Sequence, residues 1–250
     1  MQNPTTVISS TAAQSQVQDD RLDECHSQSA LYILLGRILE EELDCEMLRL
    51  LKGDLRLPLE AMGVELGAEF NSVSESVLLD QLAEEFTGLL VAPGCISPYP
   101  AVFETGALFR EPCDRVHTAY QQAGWDYQRH YSGEFPDHIG TMLGFVGVLY
   151  GMEGKALQTG DNPMADDLFE QRSTFTTELL GPWAPGWCRR ASEAAFHPFY
   201  RQMLALTEQL LWSELATLVD RRKLRELSDL NRREPSKLDY NADFRKASGI

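Results

Sequence analysis

Residues 132–151 read SGEFPDHIGTMLGFVGVLYG, and this stretch decides the fold. A polar corner, Pro136-Asp137-His138, opens into a helix, expected over residues 136–158, whose Ile139, Met142, Leu143, Val146, Leu149 and Tyr150 recur at the i, i+3, i+4, i+7 spacing of one buried face. Gly140, Gly144, Gly147 and Gly151 form a second stripe at similar spacing. A glycine inside a helix costs about 1 kcal/mol relative to alanine, so the stripe needs compensation. Another helix, or a bound segment, approaching the backbone where no Cβ stands would supply it. The run is too short to span a bilayer, and Asp137 and Glu153 flank it. It reads as the centre of a helical core with a polar mouth.

Outward from that core the pattern stays helical. Leu31, Leu34, Leu35, Ile38 and Leu39 mark one face of a first helix, and Asp44 suits the N-cap of a second that closes at Gly53. Residues 54–75 allow only short helical turns. Leu78, Leu79, Leu82, Phe86, Leu89 and Leu90 define a clear helix over 75–91. Four prolines and glycines then predict an irregular loop over 92–104, carrying the large side chains Tyr99 and Phe103. Helices follow over 112–124, from Asp161 to Leu180, from Pro185 to about Phe196, and onward from Pro198. No period-2 stretch reads as a strand. The expected fold is all-α: a polar, disordered leader over 1–19, one helical domain over 20–219, and a tail over 220–250 that passes from helix into disorder.

The 250 residues carry a net charge of −16. Residues 220–250 hold nine Lys/Arg against six Asp/Glu, a net of +3, which leaves −19 for the rest. Such an acidic body argues against nonspecific binding to nucleic acid or anionic membrane and would favour a cationic partner; on charge alone, acidity that serves only solubility is the preferred reading. Five scattered cysteines without CxxC spacing suggest neither a disulfide framework nor a zinc site, and they fit a reducing cytoplasm. The first twenty residues lack the basic and apolar regions of a secretory signal.

Chemistry is scarce. Gly154-Lys155 is the nearest approach to a phosphate loop, but Leu149 stands where the first glycine belongs and Ala156 where the hydroxyl belongs. Glu134/His138 and Glu193/His197 are four apart, not the Glu-x-x-His of helical di-metal sites. No metal or cofactor is expected. Asp137 and His138 allow two readings: an N-cap with its first-turn neighbour, or a pair at the mouth of the core that meets a ligand. Nothing beside them looks like a nucleophile, so recognition is favoured over catalysis. A helical metal-dependent enzyme using the pair stays open as the alternative.

Four segments together resemble the TorD/DmsD/NarJ family of molybdoenzyme-maturation chaperones: Glu85-Phe86-Thr87-Gly88-Leu89-Leu90, Ser97 to Phe103, Pro136-Asp137-His138-Ile139-Gly140, and His197-Pro198-Phe199-Tyr200-Arg201. Leu90 replaces the usual phenylalanine, Ala92-Pro93-Gly94 the Gly-Pro turn, and Ala101 a common serine. The resemblance implies a single helical-bundle domain without enzymatic activity, in the cytoplasm, as monomer or domain-swapped dimer. Its partner would be the apo-form of a molybdenum oxidoreductase catalytic subunit, bound through its twin-arginine signal peptide while the cofactor is inserted and export delayed. An accessory subunit retained in the oxidoreductase complex is the other implied role. The expected peptide groove takes Phe86, Leu89, Leu90, Tyr99, Phe103 and Gly140 as its lining, with Asp137, His138 and Glu104 supplying polar and charged groups at its mouth.

Overall fold

The structure, a computed structural model, describes residues 4–92, 94–128 and 135–236. Among them every regular element is a helix: α1 (Pro4–Glu40), α2 (Cys45–Lys52), α3 (Arg56–Ala61), α4 (Gly67–Ser72), α5 (Glu75–Phe86), α6 (Pro100–Thr105), α7 (Glu111–Gln122), α8 (Ile139–Thr159), α9 (Asn162–Phe175), α10 (Ala184–Ala194), α11 (Pro198–Leu218) and α12 (Arg221–Asn231). α5 and α9 each end in a π-helical turn, Thr87–Val91 and Thr176–Leu180. α1 is assigned from Pro4, ahead of the Asp19–Asp20 start read from the sequence, and its side chains are described from Gln18 onward.

α8 is the central helix, and the glycine stripe explains its position. A methyl group on Gly140 would stand 2.8 Å from both Glu40 N and Gly36 O of α1, and one on Gly147 would stand 3.0 Å from Ile33 N. Gly36 on α1 reciprocates, since its methyl would lie 2.8 Å from Gly140 O and Gly144 N. The compensation expected from the sequence is therefore another helix, α1, packed backbone to backbone. Glu40 Oε1 accepts from Thr141 Oγ1 at 2.6 Å, and Ser29 Oγ donates to Gly147 O at 2.8 Å, so the seam is also hydrogen-bonded. On the far side of α8, Phe145 meets Tyr120 of α7 and Phe175 of α9 at centroid distances of 4.6 and 4.9 Å. Burying side chains of this size contributes about 1.5–3 kcal/mol each.

A charged cluster lies inside this helical body. Arg172 of α9 donates from Nη1 to Glu214 of α11 at 2.7 Å and from Nη2 to Glu153 of α8 at 3.2 Å, and its guanidinium stacks on the Tyr150 ring at 3.6 Å. Tyr150 donates to Glu214 at 3.1 Å, Tyr32 of α1 donates to the same carboxylate, and Arg21 of α1 closes on Glu153 at 2.9 Å. Two guanidinium and two carboxylate groups balance, which a buried ionic cluster requires. Burial raises the Glu214 carboxyl above its ordinary value, with the tyrosine donors and Arg172 pulling it down.

One local expectation needs correction. The stretch 92–104 is not irregular throughout, because Pro100 starts α6. Proline is at home at a helix's first position, where no N–H is needed. The helical start of the tail, as expected, is present as α12, and it is docked: Asn231 is buried, accepts from Gly186 N at 2.6 Å and donates to Gly181 O at 2.7 Å. Residues 237–250 of the tail, and 1–3 of the leader, lie outside the described residues. No described helix is long and apolar enough to cross a membrane. All five cysteines are free.

Candidate functional site

The polar corner before α8 is a knot of chain, and each of its residues has a defined task. His138 is the N-cap of α8, accepting from Gly140 N through Nδ1 at 3.1 Å. The proton of a neutral ring therefore sits on Nε2. Asp137, read as that cap or as an open ligand group, does neither. It is 1% exposed, and its carboxylate accepts from Ala101 N at 3.3 Å and from the Cys113 thiol. It thus caps α6, from a position 36 residues downstream. Burial pushes the Asp137 carboxyl above its ordinary value despite these donors, and burial beside it pushes the Cys113 thiol up to about 12. Ile139 N donates to Pro98 O at 2.9 Å, which fastens the start of α8 to the strand-like approach of α6.

Aromatic rings continue the knot to the surface. Tyr99 sits edge-on to His138 at 5.2 Å and to Phe135 at 5.6 Å, and Phe135 meets Phe109 at 4.2 Å. Phe109 is exposed and has φ of +54°, a left-handed conformation that costs a bulky residue energy. Neither Phe109 nor Phe135 was singled out from the sequence. An isolated aromatic before a turn has no periodicity to mark it.

The nine residues expected to form one groove and its mouth are placed in several surroundings. Gly140 faces Gly36 and Glu40 of α1, within the seam. Phe86 and Leu90 are buried, Phe86 against Tyr200 at 6.3 Å. Phe103 packs on Trp183 at 6.0 Å, under the Arg190 guanidinium, and its carbonyl accepts from Ser236 N at 3.0 Å, so the chain beyond α12 crosses it. Glu104 is exposed and paired with Arg115 at 3.1 Å; burial around the carboxylate raises it, and Arg115 opposes the rise. Phe103 and Glu104 border a smaller opening beside Trp183 and Ser236, and Leu89 borders a larger groove.

That groove, about 700 Å³, lies between the π turn after α5 and the α10–α11 connection. Leu89 and Ile96 supply apolar lining, and Glu84 and Glu85 stand beside them. Phe196 projects at its edge, 87% exposed, a level that leaves almost the whole ring without a packing partner. Glu85 accepts from Phe196 N at 2.7 Å and so fixes the connection. The next residue, His197, caps α11 as His138 caps α8, accepting from Phe199 N at 3.1 Å. Two of the sequence segments that carried the family resemblance, at 85–90 and 197–201, meet at this groove. Trp187 Nε1 donates to Ser97 O at 2.8 Å and ties the same region to the α6 knot.

For metal chemistry, no three His, Cys, Asp or Glu side chains gather among the described residues. Glu134 and His130 lie outside those residues, and His197 of the other Glu/His pair spends Nδ1 on its helix cap.

The family model described as nitrate reductase delta subunit matches residues 54–189, which takes in α3 through most of α10 and the whole Asp137–His138 knot. No curated protein matches the chain.

Proposed function

Because the chain belongs to the nitrate reductase delta subunit family, we propose that it is a maturation chaperone for a molybdenum-containing oxidoreductase and that it binds the twin-arginine signal peptide of the apo catalytic subunit, holding that subunit in the cytoplasm until the cofactor is in place. The observation that carries the peptide reading is the groove under Phe196. It offers an apolar lining, an unpacked aromatic edge and two adjacent carboxylates, Glu84 and Glu85. A twin-arginine segment presents two guanidinium groups followed by apolar residues, and guanidinium–carboxylate pairing is strong and directional.

In this reading Leu89 and Phe196 touch the peptide. Asp137, His138, Tyr99 and Gly140 are positioning residues: they fix α6 and α8 and, through Ser97 and Trp187, the floor on which the groove rests. Phe86 and Leu90 hold the helix behind Leu89, and Phe103 and Glu104 belong to the surface that the chain after α12 crosses.

Titration with labelled twin-arginine signal peptides of molybdenum oxidoreductase precursors tests it. Phe196→Ala with Glu84→Lys should weaken binding about tenfold or more, the range expected for losing one aromatic anchor and reversing one charge. Unchanged affinity in the folded double variant, or equal affinity for a peptide whose two arginines are glutamines, counts against the groove. A retained subunit of the mature enzyme is the second reading, favoured by the family's description as a subunit. Recovery of the chain with exported enzyme, and not with cytoplasmic precursor, would establish it instead.

A further inference from the structure

A second groove, about 630 Å³, runs between α7 and α9 on a different face of the protein. Its floor is apolar: Ala119 and Ala123 from α7, Phe145 from α8, Phe175 and Leu179 from α9 and its π turn. Its rim is acidic. Asp167, Glu170 and Glu178 line the α9 side and Asp114 the α7 side, all four exposed. Among the described residues no basic side chain lies within ion-pairing distance of any of these four. The one cation lining the groove, Arg115, is already shared between Glu104 at 3.1 Å and Glu111 at 3.0 Å.

Unpaired like charges around an apolar trough repel one another and gain from an opposite charge laid between them. The trough has the form a helix needs. α7 runs for 12 residues and α9 for 14, so the facing ridges extend about 18–21 Å, three to four turns of a third helix. Small residues, Ala119 near the end of α7 and Ala123 at its C-cap, stand one turn apart and leave room for its side chains. We infer that the α7–α9 groove docks an amphipathic helix of a partner polypeptide, with leucine or phenylalanine along one face and arginine or lysine on both flanks. This surface goes beyond the proposed chaperone reading and does not depend on where the signal peptide binds.

The test uses a labelled synthetic helix of about 14 residues, apolar at i, i+3/i+4 and i+7 and lysine or arginine on both flanks, with a charge-swapped glutamate version. Fluorescence anisotropy is read against the full chain, the rim variant Asp167→Lys/Glu170→Lys/Glu178→Lys, and the filling variant Ala123→Trp. The wild type should bind the cationic helix, more weakly as salt rises, and not the acidic one. The rim variant should lose about tenfold or more for the cationic helix and gain the acidic one, since reversed charges invert the preference. Ala123→Trp should lose binding with the rim intact. Signal-peptide binding at the Phe196 groove should stay unchanged in both variants, which separates failure here from failure of the proposed function. Equal binding to all proteins, no binding to wild type, or self-association that the rim variant abolishes while the cationic helix fails to compete would each overturn the inference.

Discussion

Gly36 of α1 and Gly144 of α8 meet with no side chain between their backbones, a methyl on Gly36 reaching 2.8 Å from the Gly144 amide nitrogen. Their roles are unequal. A methyl on Gly144 itself would meet nothing within 4 Å, whereas one on Gly140 would strike Glu40 N and Gly36 O at 2.8 Å.

Opposite signs are therefore expected for two chemically identical substitutions. Gly144→Ala should stabilise the protein by up to about 1 kcal/mol through helix propensity. Gly140→Ala should destabilise it by about 1–3 kcal/mol, because the added carbon forces the seam apart. Urea denaturation of the pair checks this; the same sign for both would refute the packing of α1 on α8.

Arg172 bonds two buried carboxylates at once, so its removal should be severe. Arg172→Ala strands Glu214 in the interior, leaves Glu153 with Arg21 alone, and should cost about 3–5 kcal/mol. Adding Glu153→Gln and Glu214→Gln should return part of that loss. A triple variant no more stable than the single one would show that the lost stability comes from packing and not from stranded charge.

The buried Asp137 carboxyl gives stability a pH dependence of known sign. Its proton is held more tightly folded than unfolded, so the folded state binds more protons as pH rises from its ordinary value of 3.8. Unfolding free energy should consequently fall across that window, and Glu214, raised from 4.5 by burial, adds a slope of the same sign. Asp137→Asn should flatten the curve by removing its share while leaving that of Glu214. Denaturation measured at steps between about pH 3.5 and about pH 7 decides the matter; a slope identical to wild type would show that Asp137 is ionised throughout.

Asn231 pins α12 through its buried side chain, while its carbonyl accepts from Arg189 and Arg190. Asn231→Ala leaves Gly186 N and Gly181 O without partners, each worth about 1–3 kcal/mol when buried. Proteolysis around residues 221–231 should accelerate with it. Cleavage at the wild-type rate would mean that Leu227, also fully buried, suffices to hold the helix.

Much of the helical frame was legible because its signals are local. Asp44 caps α2 by accepting from Met47 N, and Asp161 caps α9 by accepting from Met164 N, as their positions before apolar periods announce. The glycine stripe announced a close neighbour, though not which one. α6 was missed because its capping carboxylate is supplied by Asp137, far along the chain, where no local pattern records it. The charged cluster was missed for the same reason: Glu153 and Glu214 lie 19 and 42 positions from Arg172, where no local pattern joins them. The candidate site was the least legible part. Six residues were expected to line one groove and three to stand at its mouth, and the fold distributes them among a helix seam, a buried knot and two surfaces. Phe196, the most exposed large apolar side chain described, follows no period and precedes a proline-led helix, so nothing in its neighbours marks it.

The bonded pair Glu40 and Thr141 is separated by 101 positions. During synthesis the glycine notch of α1 waits without its mate until α8 has been made. A contact between elements so distant in the chain costs loop-closure entropy before the seam rewards it, so the packing of α1 on α8 is expected among the slower steps of folding.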